Sequence, residues 1–537
     1  MQNPITTIPK LVAQAARQYG DTLFLEEGQT RIPFDDFARQ VHSVVAALIE
    51  LDIQPGDRVA VWAPNISEWV IAAIGAQCAG AILVTLNTRY KGNEAAYILQ
   101  QSRARILFSI GSFLGCDYPA QLDQETLPDL QHLVVFRQAD SATATTRHLT
   151  PWETFLEQGC RVPAGAVQQR MQGVSDTHVS DILFTSGTTG HPKGVMTSHE
   201  QNLRAFTHFA EIVGLQSGDR YLVINPFFHS FGYKAGILAC LLKGVTLLPH
   251  AVFDTEDILQ RISRDRISVL PGPPTLFQSL LAHPDLHQYD LSPLQRATTG
   301  AAVIPVEMIR HMKSRLGFST VITAYGLTES CGLVTACRQG DSAEIIATTS
   351  GRAIPDVEVR CVDANNQEVP CGEPGEIVVR GFNVMQGYFE NEAATRDAID
   401  ADNWLHTGDI GVMDAAGNLK ITDRLKDMFI TGGFNCYPAE IEKTIAAHPD
   451  IVMNAVIGVP DPRLGEVAKV FAVRTPGSTL DAEQLISWCR DTMANYKVPR
   501  QVAFVDSLPM NASGKVLKPE LRKLSGHRVS GHGISGQ

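Results

Sequence analysis

The stretch "DILFTSGTTGHPKG", residues 181–194, joins a short apolar run to a segment with almost no side chain able to build a core. Ile182 to Phe184 read as a buried strand, and the loop that follows is delivered at its carboxyl end, where open α/β sheets bind ligands. Gly187, Gly190 and Gly194 permit close approach of the backbone. Thr185, Ser186, Thr188 and Thr189 add hydroxyls, so the loop suits phosphate oxygens. Lys193 supplies a mobile positive charge. The Walker A spacing, Gly-x-x-x-x-Gly-Lys-Ser/Thr, is absent from the stretch, which excludes a P-loop NTPase. A flexible Gly/Thr surface loop is the plain alternative.

Outward from this loop, apolar runs alternate with amphipathic segments. "RVAVWAP", "AILVTLN" and "RILFSI" read as strands, with "ISEWVIAAIGAQ" and "NEAAYILQQS" as helices between them. A second series, "DILFTS", "RYLVINP", "VTLLPH", "ISVLPG", "RATTG" and "TVITAYG", repeats the pattern with helices over 254–266 and 305–316. Such alternation predicts parallel sheets covered on both faces. After about residue 345 short strands such as "DVEVRCVD" and "GEIVVRG" predict a small antiparallel sheet or barrel. From "DRLKDMFITGGFNCYPAEIE" onward the pattern is that of a compact α+β domain. The expected class is therefore α/β: a large N-terminal domain, 1–422, holding two parallel α/β subdomains and a small antiparallel β-barrel, a C-terminal α+β domain, 423–525, and a disordered tail, 526–537.

The chain has 537 residues, more than one ordinary core can organise, and a net charge of −12 from 57 acids against 45 bases. An acidic chain without a basic run lacks the footprint of nucleic-acid or anionic-membrane binding, so any polyanion it holds is a small one. The ten cysteines show no C-x-x-C pair and no His/Cys ligand spacing, as expected of buried reduced thiols in a cytoplasmic protein. Neither "MQNPITTIPK" nor "SGHGISGQ" matches a targeting or lipidation signal. The one span-like segment, residues 70–86, is broken by Gln77 and the corner Ala79-Gly80-Ala81 into a buried helix and a strand. A homo-oligomer is left open.

Further polar clusters stand at the ends of apolar strands. In "TGAAVIP", Gly300, Ala301 and Ala302 would let a flat ring lie against backbone. "AYGLTES" carries Tyr325, Gly326, Thr328 and Glu329, and a Thr-Glu pair near a phosphate loop can hold Mg²⁺ together with a phosphate oxygen. Asp409 in "WLHTGDIG" and Arg424 in "TDRLKD" could fix ribose hydroxyls, although each alone is more often a surface ion pair. Lys515, in "PMNASGKVLK", has a surface lysine as its default reading. A cation on a separate domain can also be brought to a developing oxyanion when needed.

"FTSGTTGHPKG", "PFFHSFG", "TGAA", "YGLTE", "WLHTGDIG", "DRLKDMFITGGFNCYPAEIE" and "NASGK" occur in the order seen in adenylate-forming enzymes, and the chain resembles that superfamily of acyl-CoA synthetases, luciferases and adenylation domains over about residues 5–523. The resemblance implies two steps at one site. A carboxylate attacks the α-phosphate of Mg·ATP to give an acyl-adenylate and pyrophosphate, and the thiol of coenzyme A then displaces AMP to give a thioester. It places Thr185 to Lys193 around the β- and γ-phosphates, Thr328 on the α-phosphate and Glu329 on Mg²⁺. Asp409 and Arg424 fall on the ribose, with Gly300 to Ala302 and Tyr325 on adenine. Lys515 falls on the oxygens of the carboxylate and α-phosphate, and His229 at the acid site. It further implies a mobile C-terminal domain that swings about Lys426 and brings Gly432 and Gly433 to a pantetheine tunnel. Departures from the usual pattern are Met510 and Asn511 in place of Arg/Lys-Thr, Lys426 in place of Asp, and Cys436 in place of a β-branched residue, its reading being a small buried side chain.

The acid would be selected by "PFFHSFGYKAGILACLLKG" and "VLPGPPTLFQSLLAHPDL". Phe227, Phe228, Phe231, Tyr233 and Phe277 are candidate walls of a broad apolar cavity, with Gly232 and Gly236 leaving room, although ordinary core has the same composition. Lys234 is either a donor to the substrate or an ion-paired or solvated lysine. These stretches are especially similar to the bacterial CoA ligases that activate the indanedione propanoate (HIP) left after steroid rings A and B are removed, with medium-chain fatty acids and aryl or arylpropanoic acids as other substrates. Loading of a carrier protein in trans, or an idle nucleotide-binding copy, are readings from other classes. Retention of Glu329, Asp409, Arg424 and Lys515 together argues against the last.

Overall fold

A computed structural model describes residues 5–137, 145–185, 192–300, 304–424, 427–431, 434–493, 495–511 and 515–525. The chain divides into two compact units, Met1–Val359 with Val379–Leu405, and Arg360–Val378 with His406–Gln537.

Two large sheets organise the first unit. Among the described residues, one has eight strands, in which Ile182, Val84, Ala60, Leu107 and Leu133 stand in parallel register across five neighbours. β-branched and leucine side chains at these positions are buried because helices cover both faces. The helix Ser67–Cys78, buried on nearly every side, is followed by the strand Ile82–Thr85, so residues 70–86 form the helix and strand read from the corner. No helix among the described residues is long and apolar enough to cross a membrane. The strand Val179–Thr185 is parallel to Ile82–Thr85 but turns back into an antiparallel partner, Lys193–Ser198. The loop 186–191 between them lies outside the described residues.

The second sheet has nine strands among the described residues, with Leu25, Leu247, Tyr221, Val269, Arg296 and Thr320 in parallel register. Its Leu25 comes from an N-terminal hairpin, Leu23–Glu27 with Thr30–Pro33, that the strand periodicity alone does not assign to either series. The helices Thr255–Arg264, Pro274–Ala282 and Val306–Ser314 pack Ile258, Ile262, Phe277, Leu280, Ile309 and Met312 against it.

Among the described residues a four-stranded sheet is ordered Val357–Val362, Pro374–Gly381, Leu405–Met413 and Leu419–Arg424. The second unit has a five-stranded sheet among its described residues, built on the long pair Ile451–Asp461 and Gly465–Arg474. Strand alternation divides that pair's side chains between two cores. Val456, Val470 and Ala472 face the helices Pro438–Ile445 and Ala482–Thr492, while Ala455, Ile457 and Phe471 face Leu508 and Leu521. Cys436 is fully buried, its thiol within 3.4 Å of Thr431 Oγ1 and of the Tyr496 carbonyl, which bears out its reading as a small core side chain. Cys116, Cys160 and Cys371 are exposed, contrary to the expectation that the thiols are buried: Cys116 sits in a two-stranded hairpin with Phe113, Cys160 in the single turn Gly159–Arg161 and Cys371 in a loop, none of them in a large sheet.

Candidate active site

Thr185 is the last residue of its strand, paired with Lys193 across the hairpin. Its hydroxyl lies 3.5 Å from Glu329 Oε1 and 3.5 Å from the Lys193 carbonyl. Glu329 arrives from the other large sheet, on a single turn, Thr328–Ser330, directly after the strand Thr320–Tyr325. Two local features set that turn. Ser330 Oγ accepts from the Leu327 N–H at 2.9 Å, and a Cβ on Gly326 would stand 2.3 Å from the backbone of Gly332, so only glycine permits the approach. Gly300 follows Arg296–Thr299, the parallel neighbour of Thr320–Tyr325, and so lies beside Ala324 and near Tyr325 at the carboxyl ends of two adjacent strands. Ser186 to Gly190, Ala301 and Ala302 lie outside the described residues.

One residue joins this cluster unannounced by any of the motifs. The Tyr388 hydroxyl donates to Glu329 Oε1 at 3.0 Å, and the ammonium of Lys193 sits 4.9 Å from the centre of the Tyr388 ring. Burial first, and then the charge of Glu329, raises the Tyr388 phenol above its ordinary pKa, so it stays a neutral donor. A two-residue strand, Gly387–Tyr388, pairs with Lys193–Ser198 and holds the ring there. Only the position of "GYF" before the Asn391-capped helix marks it in the sequence, and that signals a turn rather than a site.

The acid-selecting segment forms a π-helix, Phe231–Leu238, a form often found at functional sites. Phe231 N–H donates to His229 Nδ1 at 3.2 Å, which leaves Nε2 as the N–H donor of a neutral imidazole. The His229 pKa is lowered, by the protein atoms crowding the ring first and by the nearby charge of Lys234 second, although the residue itself is exposed. Phe228 and Phe231 are half-buried.

Three expected substrate contacts are corrected. Lys234 is fully buried, with its ammonium 3.1 Å from Asp181 Oδ1 and 3.0 Å from Thr197 Oγ1, so it is the ion-paired lysine and not a donor to a ligand. Tyr233 is likewise fully enclosed, its hydroxyl bonded to Gln77 Nε2 at 2.6 Å. Gly232 leaves no cavity space: a Cβ there would lie 2.1 Å from the Pro226 carbonyl oxygen. Phe227 and Phe277 are also core, packed on Trp69 and Phe318 and closed to solvent, so they line no open cavity.

In the second unit, Asp409 is 4% exposed, and its backbone stands opposite Arg424 in antiparallel register. Lys515 is exposed at the close of a turn that Asn511 helps to tie. Asn511 Oδ1 accepts from the Lys515 N–H at 2.8 Å, and the Asn511 N–H donates to the Lys515 carbonyl at 2.8 Å. The amide thus supplies the local framework that the sequence left uncertain. Lys426, Gly432 and Gly433 lie outside the described residues.

Two parallel α/β sheets followed by strand-rich and α+β elements, with hydroxyl, carboxylate and lysine groups at strand ends, define the adenylate-forming fold. The crystal structure of an anthranilate CoA ligase in complex with anthranoyl-AMP matches at a TM-score of 0.84 and 26% identity, covering 97% of this chain and 98% of that one. Residues 12–389 match the AMP-binding enzyme family and residues 440–515 the AMP-binding enzyme C-terminal domain, and the chain belongs to this family. A 7a-methyl-1,5-dioxo-octahydro-1H-inden-4-yl propanoyl:CoA ligase of Mycobacterium tuberculosis is 49% identical over 525 residues, 98% of this chain and 100% of that protein. The ligase of the same name from Rhodococcus jostii is 46% identical over 518 residues, 96% and 98% of the two chains.

Proposed function

We propose that this AMP-forming acid–CoA ligase activates the bicyclic 7a-methyl-1,5-dioxo-octahydroindenyl propanoate of steroid ring C/D degradation. Full-length identity of nearly half to two ligases of that acid supports the substrate. The observation that carries the chemistry is the meeting of Thr185, Lys193 and Glu329 from two separate sheets. A carboxylate and a hydroxyl at this separation are hard oxygen donors of the kind Mg²⁺ takes alongside nucleotide phosphates. In this reading Glu329 would hold the metal, which when bound would supply positive charge to neutralise the phosphates. Thr185 and Lys193 orient the β- and γ-phosphates, Thr328 the α-phosphate, and Gly300 and Tyr325 flank adenine. The Nε2–H of His229 orients the acid.

Asp409 and Arg424 hold the ribose, and Lys515 stabilises charge on the α-phosphate during adenylation. A swing of residues 423–525 about Lys426 then withdraws Lys515 and presents Gly432 and Gly433 to the pantetheine arm. The enzyme works in the cytoplasm on a soluble carboxylate.

The test is AMP and acyl-CoA formation from ATP, Mg²⁺ and CoA with the indanedione propanoate, octanoate, phenylpropanoate and benzoate. A kcat/KM for the bicyclic acid at least about tenfold above the others supports the assignment. Preference for octanoate or an aryl acid overturns the substrate and leaves the ligase.

A further inference from the structure

We propose that Tyr388 is a positioning residue of the metal–nucleotide site, its hydroxyl fixing the carboxylate of Glu329 while its ring seats the ammonium of Lys193. This rests on the reading of Glu329 as the metal ligand and Lys193 as a phosphate ligand. The backbone around Tyr388 is fastened to both partners. Met385 N–H donates to the Glu329 carbonyl at 2.9 Å, Phe389 N–H to the Gly194 carbonyl at 2.7 Å, and Tyr388 N–H to Thr395 Oγ1 at 2.9 Å. The side chain therefore projects from a short strand that is pinned at once to the phosphate hairpin and to the Glu329 turn.

The chemistry of a phenol suits this place better than a cation would. A lysine or arginine bonded to Glu329 would neutralise the carboxylate that the metal needs. A neutral hydroxyl occupies one lone pair of Oε1 and leaves the charge and the remaining lone pairs available. The same ring has a second use. Its π-face seats the ammonium of Lys193 4.9 Å from the ring centre, so one side chain touches both the group read as the metal ligand and the group read as the phosphate ligand.

Two substitutions separate the functions. Y388F keeps the ring and deletes the hydroxyl; Y388L deletes both. The measurement is equilibrium binding of ATP to the full chain, without acid or CoA so that nothing turns over, across a series of Mg²⁺ concentrations, with AMP as control and thermal unfolding to confirm the fold. Y388F is expected to raise the Mg²⁺ needed for half-maximal ATP binding by about 3- to 10-fold, the effect of one hydrogen bond, with metal-free ATP affinity unchanged. Y388L is expected also to weaken metal-free ATP binding, because Lys193 loses its seat. AMP, which lacks the outer phosphates, should bind all forms alike. E329Q is run in parallel. If E329Q raises the Mg²⁺ requirement and Y388F does not, the role of Tyr388 is overturned and the metal reading stands. If E329Q leaves the requirement unchanged, the metal reading itself falls, and this inference with it.

Discussion

Lys234 Nζ lies 3.1 Å from Asp181 Oδ1, and solvent reaches neither side chain. Asp181 also accepts from Thr197 Oγ1 at 2.8 Å, Ser180 Oγ at 2.6 Å and Asn202 Nδ2 at 2.6 Å, so every oxygen of the buried carboxylate is engaged. The pair ties the π-helix of the acid-selecting segment to the strand that ends at Thr185. Removing one member leaves an uncompensated charge in the core, whereas neutralising both does not. K234M should therefore destabilise the protein by about 3–5 kcal/mol, and D181N/K234M by clearly less than the sum of the single losses. Urea unfolding of the three variants measures this, and additive losses would show that the two groups do not depend on one another.

Gly232 faces backbone, not ligand. A methyl group there meets the Pro226 and Asn225 carbonyl oxygens at 2.1 and 2.5 Å, and neither is the end of a flexible side chain. G232A should lower stability by about 1–3 kcal/mol, as for other overpacked sites, and displace His229, which is anchored through Phe231 N–H. The expected signature is a lower Tm together with a raised KM for the acid at unchanged ATP affinity. A larger KM change with unaltered Tm would return Gly232 to the substrate pocket.

His199 gives the fold an acid-sensitive component. The ring is 1% exposed, Nδ1 accepts the Ile8 N–H at 3.3 Å, and burial pushes its pKa down to about 4, against an opposing pull from Asp181. With the folded value below the unfolded one, near 6.5, the unfolded chain binds the extra proton. The stabilisation is complete above pH 6.5, falls as pH drops, and is gone below about pH 4. At pH 5 the loss is about 2 kcal/mol. H199N, whose amide oxygen can replace Nδ1 as acceptor, should show a shallower loss of stability between pH 7.5 and pH 5 than the unaltered protein. Parallel curves for the two would assign the acid sensitivity elsewhere.

The alternation of strands and helices was legible because fully buried parallel strands are continuous apolar runs, and Thr185 and Gly300 stand at the carboxyl ends of strands as expected, whereas Asp409 falls inside the strand Leu405–Met413 rather than at its end. Pairing over long distance was not. Leu25 joins a sheet whose next strand, at Leu247, lies far along the chain, and no local periodicity encodes that choice. Tyr388 escaped for the same reason, since a two-residue strand has no pattern. Tyr233 escaped, and Lys234 stayed open between two readings of which the ion pair is borne out, for another reason. Aromatic and cationic residues beside a motif look alike whether they face a ligand or a buried carboxylate, and only the position of Asp181 beneath them decides it. Asn511 shows the converse: an apparent departure from a motif supplies its own turn.

That turn allows the last test of how labour is divided between the two reactions. If Lys515 acts only on charge that develops at the α-phosphate, Lys515→Ala should lower acyl-adenylate formation by about 10²–10³-fold yet still convert a supplied acyl-adenylate and CoA to thioester at close to the original rate. Asn511→Ala keeps the ammonium but removes the acceptor that holds the Lys515 N–H, so it should give a smaller loss confined to the same half-reaction. Pyrophosphate release reads the first step, and thioester formation from the preformed adenylate reads the second. Equal loss of both halves in Lys515→Ala would mean that the lysine serves the architecture of the second unit and not the oxyanion. An Asn511→Ala enzyme as slow as Lys515→Ala would mean that placing the ammonium matters as much as having it.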